Sequence, residues 1–181
     1  MTHEDDVQLS RKAVIQRGLF VHRYSGIEFA MCELIMRART SPAYHDLGDM
    51  PFRYTGKIQW VRKMLDRQGP VRPYASGIRV MLRDFLPFEE IRHFMMHGLM
   101  TIEHGTPEGD VLRFEMYDRI EGNVSKGTLR ISLERLKAVV ADMGKISNNF
   151  PEYVSIVCQG AELGEFPMDE PRPRTFKRPQ L

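Results

Sequence analysis

One arginine and two histidines stand close together near the middle of the chain, at Arg92, His93 and His97. Histidine titrates near neutral pH and can move protons in either direction. Arginine stays charged and can stabilise the charge that develops on a phosphoryl oxygen. Together these groups could cleave RNA by activating its 2′-hydroxyl, without a metal. We therefore take Arg92, His93 and His97 as candidate catalytic residues.

The spacing of arginine and histidine does not by itself select this segment. Arg17 and His22 have the same spacing as Arg92 and His97. The local pattern is more selective, because the apolar residues around the motif fall on one face of a helix and His97 lies about 150° from the centre of that face. This predicts a His97 outside the core. Arg92 and His97 are about 140° apart, which favours a site that two chains build across a twofold axis.

Four stretches of apolar residues at spacings of three and four predict the helices that position the motif. The first ends near Ser41-Pro42, and the second covers about 55–68 and stops at Gly69-Pro70. The third runs from Ile78 to Ile102 and is interrupted by Pro87, which predicts two helices or one kinked helix. The fourth runs from about 132 to 147, and Pro151 opens a short further helix. The stripe of the first helix consists of Phe20, Tyr24, Ile27, Met31, Leu34 and Ala38.

Between the third and fourth stretches the apolar residues alternate, first over 112–116 and again over 129–133. Alternation is typical of strands, and Gly122 and Gly127 lie between the two runs. We expect a small β-hairpin with a long loop at about 111–133, before the last long helix. The fold class is therefore mainly α, a helical bundle with an appended hairpin.

The chain has 181 residues, 42% of them hydrophobic and 28% charged, which predicts one folded domain. We expect a flexible N-terminus over 1–12, a helical domain over 13–158 and a Pro/Arg-rich tail over 159–181. There is no long apolar run, the N-terminus is acidic, and the two cysteines, Cys32 and Cys158, are too few for a disulfide framework. These features predict a cytoplasmic protein that does not associate with a membrane.

In its motif and helical pattern the chain resembles the HEPN superfamily over roughly residues 13–158. The match is Arg92, the polar residue His93, a three-residue spacer and His97, followed by Gly98. The resemblance implies a homodimer whose two motif helices line a shared cleft, and a metal-independent endoribonuclease that needs no cofactor. His97 would then act as general base or acid, Arg92 would support the phosphate, and His93 would orient or assist.

The same resemblance implies that the protein could be a toxin or defence effector with a protein partner such as an antitoxin. This sequence departs from the family in having His93 where asparagine is commoner, and in the acidic pair Glu89-Glu90 before the motif. Other members bind RNA or protein without cleavage, so a non-catalytic HEPN-like binding module remains the alternative.

Two further patterns bear on the ligand. Glu89, His93 and His97 recur at every fourth residue, which is the helical spacing of metal ligands, although a di-iron bundle would need such a motif twice. From Arg53 to Arg92 the chain has nine basic and four acidic residues. That excess of positive charge indicates a surface that could face RNA phosphates.

Overall fold

The computed structural model of the protein describes residues 3–107, 109–120 and 123–166. Five α-helices and a three-stranded antiparallel sheet make up most of this part of the chain, so the fold is mainly helical. Two short 3-10 helices cover Pro42–Leu47 and Arg72–Tyr74. The elements in order are α1 (His3–Ala38), α2 (Tyr54–Asp66), α3 (Ala75–Phe85), α4 (Phe88–His97), β1 (Leu99–Thr106), β2 (Gly109–Ile120), β3 (Asn123–Ser132) and α5 (Leu133–Gly160).

The core forms where α1 and α5, the two longest helices, pack against each other. Helices α2 and α4 pack against α1, and α3 packs against α5 and α2. The stripe predicted for the first helix is confirmed, since all six of its residues are buried. The apolar residues predicted for α2, Ile58, Val61, Met64 and Leu65, are buried as well. None of the helices in the described ranges is both long and apolar enough to span a membrane.

Pro87 separates α3 from α4, as its position in the apolar stripe predicts. The prediction that the second of these helices extends to Ile102 is wrong, because α4 ends at His97 and β1 begins at Leu99. Leu99 and Ile102 fit helical spacing, but Met100 and Ile102 also alternate toward the core as in a strand. A short apolar run does not distinguish the two, and pairing with β2 decides in favour of the strand.

The predicted hairpin is the second half of a three-stranded meander in the order β1-β2-β3. The expected long loop is replaced by strand pairing: β2 continues to Ile120, β3 starts at Asn123, and Gly127 pairs with Met116 inside the ladder. Buried Leu112 and Phe114 on β2 face the helices. The opposite face carries a network of ion pairs among Glu103, Arg113, Glu115, Lys126 and Arg130.

Both ends of the helical domain differ from expectation. Helix α1 begins at His3 instead of near residue 13. The acidic residues of its first turn are stabilised by the positive end of the helix dipole. In addition, the Asp6 carboxylate lies 3.4 Å from Nε2 of His104 on β1. Helix α5 continues through Pro151 to Gly160, because Phe150 and Val154 on either side of the proline stay packed in the core. Residues 159–166 of the predicted tail continue directly from the folded core. Residues 167–181 of that tail lie outside the described residues.

Gly98 joins the motif helix to the sheet, and its lack of a side chain is required there. A Cβ at this position would lie 2.6 Å from the carbonyl oxygen of Phe94 and 3.3 Å from Phe114. We expect Gly98→Ala to lower the free energy of unfolding by about 1–3 kcal/mol, because the backbone must shift to relieve the overlap.

The matched control is Gly18→Ala on α1, where a Cβ meets nothing within 4 Å. We expect this variant to raise the free energy of unfolding by about 0.5–1 kcal/mol, because alanine is the better helix former. Urea unfolding of both variants measures the difference. Equal effects of the two substitutions would show that the junction at Gly98 is not tightly packed.

Candidate functional site

Helix α4 presents the three motif residues in different directions. The Arg92 side chain is only 16% exposed and turns toward α1 and α2, whereas His97 is exposed at the end of the helix. His93 is half-buried, and its ring centroid lies 6.0 Å from that of His97, with the two rings nearly perpendicular. The structure therefore brings the two histidines together and leaves Arg92 on the other side of His93. The predicted exposure of His97 is confirmed.

Arg92 is held by aromatic rings and one carboxylate. Its guanidinium carbon lies 5.3 Å from the ring centroid of Tyr24 and 5.9 Å from that of Tyr54. Its Nη2 donates to Glu89 Oε1 at 2.7 Å, and the other oxygen of Glu89 accepts from the Tyr24 hydroxyl. Stacking and hydrogen bonding together fix the plane of the guanidinium.

Burial and pairing act in opposite directions on these charges. Burial disfavours the charge of Arg92, but the hydrogen bond and negative charge of Glu89 outweigh it, so the pKa of Arg92 is raised further. Burial raises the pKa of Tyr24, and the neighbouring Tyr54 and Glu89 raise it again. Burial likewise raises the pKa of Tyr54. Arg92 is therefore positive and both tyrosines are neutral over the whole physiological range.

A cavity of about 700 Å³ adjoins this network. Arg92 and His93 line it from α4, and Glu28 lines it from α1. Lys57 of α2 also lines the cavity, and its Nζ donates to Glu28 Oε1 at 2.6 Å. Burial opposes the charge of Lys57, but Glu28 outweighs this and raises the lysine pKa. The motif thus opens into a space large enough for a small ligand.

Sequence reasoning missed the residues that hold Arg92. Tyr24 is assigned to the core by its apolar stripe, and the pattern gives no sign that its hydroxyl reaches Glu89. Glu89 is visible in the sequence only as an acid next to the motif. Its spacing of three residues before Arg92 was the available signal, since residues at that spacing are neighbours on a helix.

The metal-site alternative gains no support from the geometry. Glu89 is occupied by Arg92 and Tyr24. Within the ranges that the structure describes, no three histidine, cysteine, aspartate or glutamate side chains are grouped closely enough to hold a metal ion.

The predicted basic surface is smaller than its charge count indicates. Five of the nine basic residues from Arg53 to Arg92 form ion pairs, with partners that include Glu28 and Asp46 from outside the segment. Arg72 donates to the carbonyl oxygen of Leu65. Local charge counts do not register partners that the fold brings in from elsewhere in the chain.

Comparison with known proteins gives no match to any family model, to any curated protein or to any solved structure.

The neutral tyrosines of the site predict a pH dependence of stability. Tyr24 stays protonated in the folded protein above its ordinary pKa of 10.0, whereas it ionises near that pH in the unfolded chain. The free energy of unfolding should then fall above about pH 10, by up to roughly 1.4 kcal/mol per pH unit for each such tyrosine. Tyr24→Phe should make this fall less steep.

Chemical unfolding at several pH values between about 9 and 11 measures the slope. Tyr117→Phe is the control, because Tyr117 is 75% exposed on β2 and lies outside the buried network of Tyr24. A slope that Tyr24→Phe leaves unchanged would show that Tyr24 is not held neutral by the fold.

Proposed function

We propose that the protein is a metal-independent endoribonuclease of the HEPN type that acts as a homodimer. The observation that carries the proposal is the grouping around His93: its ring lies beside that of His97, and it shares a ligand-sized cavity with Arg92. Two adjacent imidazoles can supply the proton transfers of RNA cleavage, and a fixed guanidinium can stabilise its developing charge, without a metal.

In this reaction the 2′-oxygen of a ribose attacks the adjacent phosphorus atom, and the bond from phosphorus to the 5′-oxygen breaks. His97 serves as general base for the 2′-hydroxyl proton or as general acid for the leaving 5′-oxygen. His93 orients the attacking group or supplies the complementary proton transfer. Arg92 stabilises the negative charge on the phosphorane-like transition state.

The direct test is cleavage of RNA in the presence of EDTA by the wild type and by His97→Ala. We expect EDTA to have no effect and His97→Ala to reduce the rate at least about 100-fold, because proton transfer by a positioned side chain contributes that much. Arg92→Lys should also impair cleavage, since lysine keeps the charge but loses the planar fork.

His22→Ala is the matched control, because His22 is an exposed histidine on α1 outside the cavity. It should cleave like the wild type, and thermal midpoints of all variants establish that they are folded. Cleavage that requires a metal, or that survives in His97→Ala, would refute this assignment of the site.

Exposed apolar side chains next to His97 support the dimer. Met96 and Leu99 flank the histidine, and Leu99 is 68% exposed at the start of an edge strand. Exposed apolar side chains beside an edge strand are typical of surfaces that another chain covers. A second copy seated here would also bring a second His97 to the first, as the resemblance implies.

Light scattering tests the dimer. The wild type should have twice the mass of the chain, and Leu99→Asp should shift it toward monomer and lower cleavage in parallel, because an aspartate buried in the interface is unpaired. Val80→Asp, an exposed apolar position on α3, should change neither property. A monomeric wild type that cleaves RNA would refute the shared site.

One observation favours a second function, a protein that binds RNA without cutting it. Glu89 already neutralises Arg92 through two of its guanidinium nitrogens, Nε and Nη2. A neutralised arginine has less charge to offer a transition state than a free one. Tight RNA binding by a wild type that leaves RNA intact would select this function over the first.

A further inference from the structure

The cavity beside Arg92 has a second group of lining residues that the cleavage chemistry does not use. Phe52 and Arg53 line it from the loop that precedes α2, and Tyr54 lines it from the first turn of that helix. This loop is held close to the helix, since a Cβ on Gly56 would lie 2.7 Å from Pro51. The loop is therefore positioned by packing before any ligand arrives.

The first turn of α2 has backbone amides that find no acceptor among the described residues. Arg53 is the N-cap residue, its side chain makes no capping hydrogen bond, and the first turn contains no acidic residue. The first intrahelical bond runs from Lys57 N to Arg53 O at 3.1 Å, so the amides before it have no helical acceptor. Free amides at the positive end of a 13-residue helix attract an anion such as phosphate.

The charges around the cavity favour an anion as well. Glu28 and Glu89 both line it, but Lys57 and Arg92 neutralise them. Arg53 is exposed, and no ion pair formed by residues 3–107, 109–120 and 123–166 involves it. Arg53 therefore leaves the lining with an excess of positive charge next to the uncapped amides.

Phe52 and Tyr54 supply the features of a base-binding surface. Phe52 is 97% exposed, although burying a phenylalanine side chain is normally favourable. Tyr54 is 7% exposed, and its hydroxyl lies beside that of Tyr24, with no other hydrogen-bond partner within the described part of the chain. An exposed ring can stack on a nucleobase, and a buried hydroxyl with hydrogen-bonding capacity left over can gain a further partner when a polar ligand binds.

We propose that this cavity binds one unpaired nucleotide of an RNA strand, next to the phosphate that the motif would cleave. The nucleotide's phosphate lies at the start of α2 against Arg53, and its base stacks on Phe52. The inference rests on the proposed function in taking RNA as the ligand, but it does not require cleavage. It assigns substrate selection to the loop before α2 and makes single-stranded RNA the substrate class.

The test measures binding of a fluorescein-labelled single-stranded RNA of about ten nucleotides to the full chain carrying His97→Ala, so that the RNA stays intact. In this background, Phe52→Ala should weaken binding by about 5-fold to 150-fold, the effect of losing one stacked base. Phe52→Trp should restore binding, because tryptophan also stacks.

Arg53→Gln should act differently. It removes one phosphate contact, so the slope of log affinity against log salt concentration should become shallower by about 0.7, the value for single strands. Phe52→Ala should leave this slope unchanged, because stacking releases no counterion. The two variants thus separate the base contact from the phosphate contact.

Two controls match these variants in residue type. Phe29→Ala removes an exposed phenylalanine from α1, and Arg62→Gln removes an exposed arginine further along α2; neither residue lines the cavity. Both should bind the RNA as the His97→Ala parent does. Weakening that is equal in controls and cavity variants, or a parent that does not bind the RNA, overturns the proposal.

Failure of this inference is distinguishable from failure of the proposed function. A wild type that cleaves RNA, combined with unchanged binding in Phe52→Ala and Arg53→Gln, refutes the nucleotide site and leaves the ribonuclease intact. A wild type that does not cleave RNA, combined with the expected losses in both variants, upholds the nucleotide site and refutes catalysis.

Discussion

The Arg92 guanidinium is the group on which the arrangement of the site depends. It joins three helices, because it stacks on Tyr24 of α1 and Tyr54 of α2 while Glu89 of its own helix holds it. A buried charge is costly unless it is paired, so this contact ties α4 to one position relative to α1 and α2. The cavity and the direction of His93 follow from that position. A rotation of α4 would separate Arg92 from both rings.

The same contact limits what the arginine can do. The carboxylate that orients Arg92 also offsets its charge, and the tyrosines shield it from water. Chemistry at a phosphate would therefore depend on the donors of the guanidinium that Glu89 does not take. Arg53, at the start of α2, lines the same cavity, and none of the described residues forms an ion pair with it. Of the two arginines in the lining, Arg92 therefore has a fixed geometry and Arg53 has the available charge.

Sequence periodicity predicted the buried faces of α1 and α2, because a helix that is buried on one side has apolar residues at spacings of three and four. The break between α3 and α4 was predicted from Pro87, since proline interrupts a helix. Periodicity failed at Leu99, where a short apolar run fits both periods and only pairing with β2 decides. It failed at Pro151 because packing against α1 outweighs the local preference of proline. The motif residues were predictable from their chemistry, but the partners of Arg92 were not, since Tyr24 is 68 residues away in the chain and only the fold brings it near.

The pairing of α1 with α5 has a consequence for how the protein is made. The first and last helices form the largest helix–helix contact, although about 95 residues separate Ala38 from Leu133. On the ribosome, α2 and α4 can cover part of the apolar stripe of α1 as they emerge, but the rest of the stripe has no partner until α5 has been synthesised. The meander between them can pair early, because its strands are neighbours in sequence. The nascent chain is therefore open to proteases and chaperones for most of its synthesis, and it completes its core only when the final helix arrives.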